Sequence, residues 1–168
     1  IDKTIHSMAG KCSSISEDFD RDIYNALKSA LPQLEKYHTI TIIFPSYTYH
    51  SKEILTGFYN FCIDHAFDHA IISDIEEESI EDDTVYVSLM EDNLVTLIEK
   101  VIDSKKEVGK DVGVISYNET PIKKIILNGI TTISTDFKFM GRHAAELILN
   151  KKQDHVAVPF YLTLRKSL

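Results

Sequence analysis

The chain has 168 residues, of which 43% are hydrophobic and 26% charged, and these are the proportions of a globular protein with a real core. The formal net charge is −8 and the longest charge run, over residues 76–83, is acidic, which disfavours direct binding of nucleic acid. No apolar stretch is long enough to cross a bilayer. The two cysteines, Cys12 and Cys62, have no metal-like spacing, which indicates reduced thiols in a cytoplasmic protein.

The first part of the chain predicts a helix followed by a strand. Apolar side chains recur at helical spacing over residues 19–34, which predicts a helix with one buried side. Either Ser16 or Asp18 is suited to cap its start, and Pro32 should kink it or end it early. The β-branched run over residues 39–44 then predicts a buried strand.

Beyond this strand, helices and short β-branched strands alternate. Helices are predicted at 51–67, 92–106, 120–127 and 136–150, and strands at 70–72, 85–87, 112–115, 130–134 and 155–164. This alternation predicts an α/β fold, with a parallel sheet that helices cover on both faces and with right-handed crossovers.

Four polar segments follow predicted strands or precede predicted helices. In open parallel sheets, ligands bind beyond the carboxyl ends of the strands, and these segments should meet there. Their carboxylates, amides and tyrosines suit a sugar, which presents hydroxyls and an apolar C–H face. The same residues also suit ordinary capped loops, so both interpretations stay open. The segments are 16–18, 46–50, 88–92 and 116–119.

Other chemistry has weaker support. His65 and His69 have a spacing that suits two metal ligands on one helical face, but no third ligand accompanies them. The acidic run 76–83 lacks the pattern of a calcium loop. Nucleophile-elbow, phosphate-loop and paired-cysteine motifs do not occur. We therefore predict no metal, no cofactor and no enzymatic activity.

Two segments of the second half resemble the lactose-repressor/galactose-repressor family of transcription regulators. Residues 111–121 read Asp-Val-Gly-Val-Ile-Ser-Tyr-Asn-Glu-Thr-Pro, and residues 129–148 begin Gly-Ile-Thr-Thr-Ile-Ser-Thr-Asp-Phe. The order and spacing of both match the family. The resemblance implies a periplasmic-binding-protein-like type I fold, with two lobes that close on an effector.

By that resemblance, one lobe is complete and the other partial. Residues 39–128 would form the complete C-terminal lobe, whereas residues 1–38 and 129–151 would belong to the partial N-terminal lobe. Residues 152–168 would supply the terminal strand and a segment that crosses the hinge.

The resemblance also implies effector-binding residues. Asp18 and Asn118 would bond effector hydroxyls, and Thr135 and Phe137 would line the cleft. Tyr47 joins them as an aromatic of the 46–50 segment. Where the family commonly has a sugar-clamping arginine this chain has Ile54, and Lys52 is the substitute that we consider. This departure makes a deoxysugar as suitable an effector as a simple monosaccharide.

The resulting hypothesis is an effector-sensing and dimerisation module of a cytoplasmic regulator. DNA would be contacted only through a missing N-terminal domain, for which a winged helix of the gluconate-repressor type is one possibility. The homodimer would use the helices at 92–106 and 120–127. Two alternatives remain open, an extracytoplasmic sugar-binding protein of a transport system and a small α/β enzyme.

Overall fold

The computed structural model of the protein describes residues 13–151 and 153–168. Two short 3-10 turns, Pro121–Lys124 and Ile126–Asn128, connect the fifth and sixth strands. Within the described part of the chain, no helix is long and apolar enough to cross a membrane. The remaining elements are β1 (Ser14–Ser16), α1 (Phe19–Ser29), α2 (Leu31–Leu34), β2 (Thr39–Ile43), α3 (Glu53–Asp64), β3 (Asp68–Ile72), β4 (Thr84–Ser88), α4 (Glu91–Asp103), β5 (Val112–Tyr117), β6 (Thr131–Thr135), α5 (Phe137–Asn150), β7 (His155–Ala157) and β8 (Phe160–Thr163).

A six-stranded sheet organises the fold. Its strands lie in the order β3-β2-β4-β5-β6-β8, and the first five are parallel to one another. The last strand, β8, runs antiparallel to β6 and closes that edge. A separate two-stranded sheet pairs β1 with β7 in parallel. The predicted α/β class with a mainly parallel sheet is confirmed.

Apolar side chains fill both faces of the large sheet. On one face, Ile40 and Ile42 of β2 belong to a cluster that includes Leu27 of α1 and Phe58 of α3. The opposite face carries Ile43 in a second cluster, which includes α4 side chains. This alternation follows from the two-residue period of a strand, and each buried aliphatic side chain contributes about 1.5–3 kcal/mol.

The structure describes one of the two cysteines. Cys62 is a buried free thiol in the cluster beneath α3. Cys12 lies outside the described residues.

Two predicted elements differ from the observed ones, and backbone geometry explains both. The segment at 120–127 forms 3-10 turns rather than a helix, since Leu127 and Asn128 have left-handed φ angles of 49° and 62°. The single strand predicted at 155–164 is two strands, β7 and β8, separated at Pro159. Proline has no N–H to donate to a ladder, so the chain leaves one sheet there and enters the other.

The segments of the predicted partial lobe, 1–38 and 129–151, contain elements with different surroundings. Two of the helices, α1 and α2, contribute to the core of the six-stranded sheet, and β6 pairs with β5 inside that sheet. Of the predicted partial lobe, β1 and α5 lie outside the sheet, and β7 joins them from the terminal segment. Residues 1–12 and 152 lie outside the described chain.

Close packing of α1 on α3 depends on one glycine. A Cβ on Gly57 would lie 1.9 Å from the backbone oxygen of Asp20 and 2.5 Å from Cγ2 of Ile23. Because backbone atoms of α1 cannot retreat as a flexible side chain would, any side chain here must separate the helices.

We therefore expect Gly57→Ala to destabilise the protein by about 1–3 kcal/mol, as overpacking of a core usually does. Gly141→Ala on α5 is the matched control, because a Cβ there meets no atom within 4 Å. That control should be neutral or stabilising by up to about 1 kcal/mol through helix propensity. Urea unfolding of both variants measures the difference, and equal effects would contradict this account of the contact.

Candidate functional site

A cleft opens beyond the carboxyl ends of the strands, where the two sheets approach each other. The described residues that line it enclose about 100 Å³. This space is smaller than the roughly 300–1,000 Å³ of most ligand pockets. The described residues therefore form part of the wall of a site rather than a closed chamber. They are Glu17, Phe19, Tyr49, His50, Ser51, Tyr117, Asn118 and Phe137.

Asn118 occupies the turn directly after β5. Its φ of 62° is left-handed, a conformation that asparagine tolerates better than most residues. Its backbone N–H donates to the carbonyl oxygen of Ile133 at 2.8 Å, which fixes the turn against β6. Its side-chain Oδ1 is buried and has no hydrogen-bond partner among the described residues. A buried acceptor without a donor is costly, and a ligand hydroxyl in the cleft would satisfy it.

Aromatic rings form a continuous row along the cleft. Tyr49 contacts His50 with ring centroids 4.5 Å apart, and His50 contacts Tyr117 edge-on at 5.0 Å. Tyr117 in turn contacts Phe160 of β8 at 5.5 Å, so the row is anchored in the sheet. Such faces suit the C–H surface of a sugar or another ligand with an apolar side.

One carboxylate among the lining side chains comes from the segment after β1. The hydroxyl of Thr135, at the end of β6, donates to the carboxylate of Glu17. Glu17 follows the small sheet and the buried Thr135 ends a strand of the large sheet. Their bond therefore connects the two sheets beneath the cleft. A carboxylate held in this way can accept hydrogen bonds from ligand hydroxyls.

A second polar contact stabilises the segment that follows Asn118 in the sequence. Arg165 donates two parallel hydrogen bonds to the carboxylate of Glu119, at 2.8 and 2.9 Å, and a third to the Ile130 carbonyl at 2.6 Å. Burial alone would raise the pKa of Glu119, but the bonds from Arg165 and Thr132 outweigh it and lower that pKa. The bidentate pair therefore fastens the last residues of the chain to the loop between β5 and β6.

The structure brings together some of the predicted site residues and separates others. Asn118 and Phe137 line the cleft, and Thr135 lies beneath it through its bond to Glu17. Tyr47 and Lys52 are exposed and lie outside the lining. Asp18 is also outside the lining.

Asp18 has a local role at the start of α1. It occupies the N-cap position, as one of the two predicted candidates, although its side chain makes no capping bond. Its backbone N–H donates to the carboxylate of Asp22 at 3.0 Å, and its own carboxylate lies 3.7 Å from Arg21. A hydrogen bond to Asp20 raises the pKa of Asp18, and burial adds to this effect.

The predicted segments 16–18, 46–50 and 116–119 contain five of the eight lining residues, and Phe137 was named separately, whereas Phe19 and Ser51 were not among the predicted site residues. In the 46–50 segment, the Thr48 N–H donates to Pro45 and the His50 N–H to the Thr48 hydroxyl. This compact turn directs His50 towards the cleft and leaves Tyr47 in solvent. The polar composition of this segment after a strand predicted a loop, but not which ring would face inwards. The 88–92 segment, the fourth predicted loop, does not contribute to the lining.

The weaker metal candidates can be located as well. His65 ends α3, where its ring packs 4.7 Å from that of Phe61. His69 lies in β3, beside Tyr59. Across residues 13–151 and 153–168, no group of three or more His, Cys, Asp or Glu side chains is arranged to hold a metal ion.

The chain matches a known family over most of its length. Residues 35–168 match the model of the periplasmic binding protein-like domain. No curated protein sequence matches the chain.

Solved structures show the same fold at low sequence identity. A LacI family transcriptional regulator from Enterococcus faecalis V583, with bound ribose, is 16% identical, with a TM-score of 0.70 and coverage of 92% of this chain and 62% of that one. The lactose repressor bound to the anti-inducer ONPF is 16% identical, with a TM-score of 0.74 and coverage of 92% and 64%.

A third structure is a periplasmic binding protein/LacI transcriptional regulator from Alkaliphilus metalliredigens QYMF, in complex with D-xylulofuranose. It is 15% identical, with a TM-score of 0.70 and coverage of 92% of this chain and 65% of that one. This chain thus spans less than two thirds of the length of each of these three proteins. The likeness confirms the fold that the sequence motifs implied.

The acidic start of α1 makes stability depend on pH. Burial raises the pKa of Asp22 from 3.8 to about 6, and the carboxylates of Asp18 and Asp20 add to the effect. Because the folded-state pKa is above the unfolded one, stability from this group is fully present below about pH 4 and is lost as pH rises through about 6. Asp22→Asn, which keeps an acceptor for the Asp18 N–H, should therefore stabilise more at pH 7 than at pH 4. Denaturant unfolding between these pH values measures this, and a pH-independent difference would contradict it.

Proposed function

Because the chain belongs to the periplasmic binding protein-like domain family, we propose that it is the effector-sensing part of a transcription regulator that responds to a sugar. The buried, unpartnered Oδ1 of Asn118 in the cleft carries this proposal, since a ligand hydroxyl is the donor that it lacks among the described residues. The three compared structures support it, because they are described as regulators and two of them contain a sugar.

The other lining residues favour the same class of ligand. Tyr117 and Phe137 offer apolar faces, His50 offers ring nitrogens, and Glu17 offers carboxylate oxygens. A monosaccharide needs this combination, because its hydroxyls require bonds while its ring C–H groups require an apolar partner. The position that carries the family's arginine is Ile54, which is fully buried in the core. A monosaccharide or a deoxysugar therefore remains our proposed effector.

The cleft would close when β1, α5 and β7, as parts of a second lobe, move towards the large sheet. Effector binding would then shift the balance between open and closed states by its difference in affinity for them. Contact with DNA would come from a domain outside this sequence, in the cytoplasm, and the module would bind its sugar without turning it over. We favour a regulator over a transport protein because the compared proteins are described as regulators.

Dimerisation is the second part of the proposal. Exposed apolar side chains occur on both segments expected at the dimer contact, Val95 and Ile102 on α4 and Ile122 and Ile125 in the 3-10 turns. Apolar side chains of this size on neighbouring segments are typical of a protein interface. Leu94, in contrast, is buried in the core beneath α4 and is unsuited to a test of the interface.

The sugar site can be tested by thermal shift on the full-length protein with D-ribose, D-xylulose, D-galactose, deoxyribose and L-fucose. A sugar at a hundred times its Kd should stabilise the fold by about 2.7 kcal/mol. Asn118→Ala should abolish that shift, because it removes the buried acceptor. Asn25→Ala, which removes the same side chain from the exposed side of α1, should retain it. If none of these sugars shifts the wild-type midpoint, sugar sensing in this cleft is wrong.

The dimer contact can be tested by replacing an exposed apolar side chain with a charged one. Ile122→Glu should produce monomers at micromolar concentration, because a desolvated carboxylate cannot be paired in an apolar contact. Its free energy of unfolding as a monomer should change by less than about 0.5 kcal/mol, as for other surface substitutions. Sedimentation equilibrium gives the mass. A dimer of unchanged affinity, or a monomeric parent protein, would contradict this contact.

A further inference from the structure

Lys123 is a buried lysine outside the lining of the cleft. It is 1% exposed, and its ammonium nitrogen lies within hydrogen-bond distance of three acceptors. These are the carbonyl oxygens of Tyr117 at 3.0 Å and Asn118 at 2.7 Å, together with the Glu91 carboxylate at 2.9 Å. An ammonium group has three protons, so each of them has one acceptor here.

This arrangement is too specific for a side chain that only fills space. A buried charge is costly unless it is paired and fully hydrogen-bonded, and an aliphatic side chain would fill the same volume without that cost. The three acceptors come from the end of β5, the turn after it and the first residue of α4. Lys123 thus holds three segments at fixed separations.

The turn that Lys123 holds is the one that presents Asn118 to the cleft. Asn118 has left-handed φ, and its carbonyl oxygen accepts the shortest of the three bonds. Since the carbonyl and Cβ share one Cα, and the Asn118 N–H is also bonded, holding the backbone here fixes the direction of the Cα–Cβ bond from which the side chain extends. The backbone N–H of Ile130 donates to the Lys123 carbonyl at 2.7 Å, which holds the lysine's own backbone in place.

We propose that Lys123 is a positioning residue for the cleft, which orients Asn118 and ties it through Glu91 to the start of α4. The part of this inference that concerns sugar contact by Asn118 rests on the proposed function, whereas the link to α4 does not. Glu91 is half exposed and also accepts a long bond from the Thr120 hydroxyl, at 3.5 Å. A change in the turn at Asn118 would therefore be transmitted to the amino end of α4, the helix that carries exposed Val95 and Ile102.

The test compares Lys123→Met, which keeps the length and removes the ammonium, with Lys124→Met, the same change at the exposed neighbouring lysine. Two quantities are measured on the full-length protein. One is affinity for whichever of the five sugars above shifts the wild type. The other is the hydrogen-exchange rate of the Asn118 backbone amide without sugar, which reports on the turn itself.

We expect Lys123→Met to lower the affinity about tenfold or more and to speed exchange at Asn118 by a similar factor, the scale of a lost charged hydrogen bond. Lys124→Met should leave both unchanged. Wild-type affinity and exchange in Lys123→Met would overturn the proposal. If no sugar binds the wild type, the proposed function fails, and the exchange rate alone then decides the positioning role.

A second variant covers the case in which Lys123→Met does not fold. Glu91→Ala removes only the half-exposed acceptor and leaves both carbonyl bonds in place. It should speed exchange at Asn118 by a few-fold, less than the loss of all three bonds. Exchange at the wild-type rate in Glu91→Ala would show that α4 is not linked to the turn and would overturn that part of the proposal.

Discussion

Parallel pairing of β2, β4, β5 and β6 is the constraint on which the rest of the molecule depends. Parallel strands all end at the same edge, so the segments that follow them meet there whatever their separation in sequence. The loop after β2, the turn after β5 and the start of α5 meet in this way at one cleft. Every connection must then cross a face of the sheet, which is why α3 and α4 cover opposite faces and two apolar clusters form rather than one.

Partly buried polar contacts hold the loops around the sheet in defined positions. The Glu119–Arg165 pair, the Thr135–Glu17 bond and the ammonium of Lys123 each join segments that the sheet alone would leave independent. Each contact places polar atoms where an unsatisfied partner would be costly, so a displaced loop loses free energy. In contrast, the Oδ1 of Asn118 has no partner among the described residues. The loops around the cleft are thus held by polar bonds, whereas this one acceptor is left for a ligand.

Sequence periodicity predicted the strands and most helices because the two- and 3.6-residue repeats follow directly from burial. It predicted a site at the sheet edge where the cleft opens, and two of the residues that it named, Asn118 and Phe137, line that cleft. It did not distinguish His50 from Tyr47, because their directions depend on two hydrogen bonds within one turn. It did not predict that β6 pairs with β5, since strand partners are set by long-range pairing rather than by local pattern.

The most direct measurement of the central claim is an NMR titration of the full-length protein with a sugar, following the Asn118 side-chain amide and the ring protons of His50 and Tyr117. We predict that one sugar shifts all three sets of signals together along a single 1:1 saturation curve. A second surface groove lies between α1 and α3 and is lined by Tyr24, Asn25 and Asn60, among others. Signals that change in that groove instead, with those of the cleft unmoved, would contradict the assignment of this cleft as the sensing site.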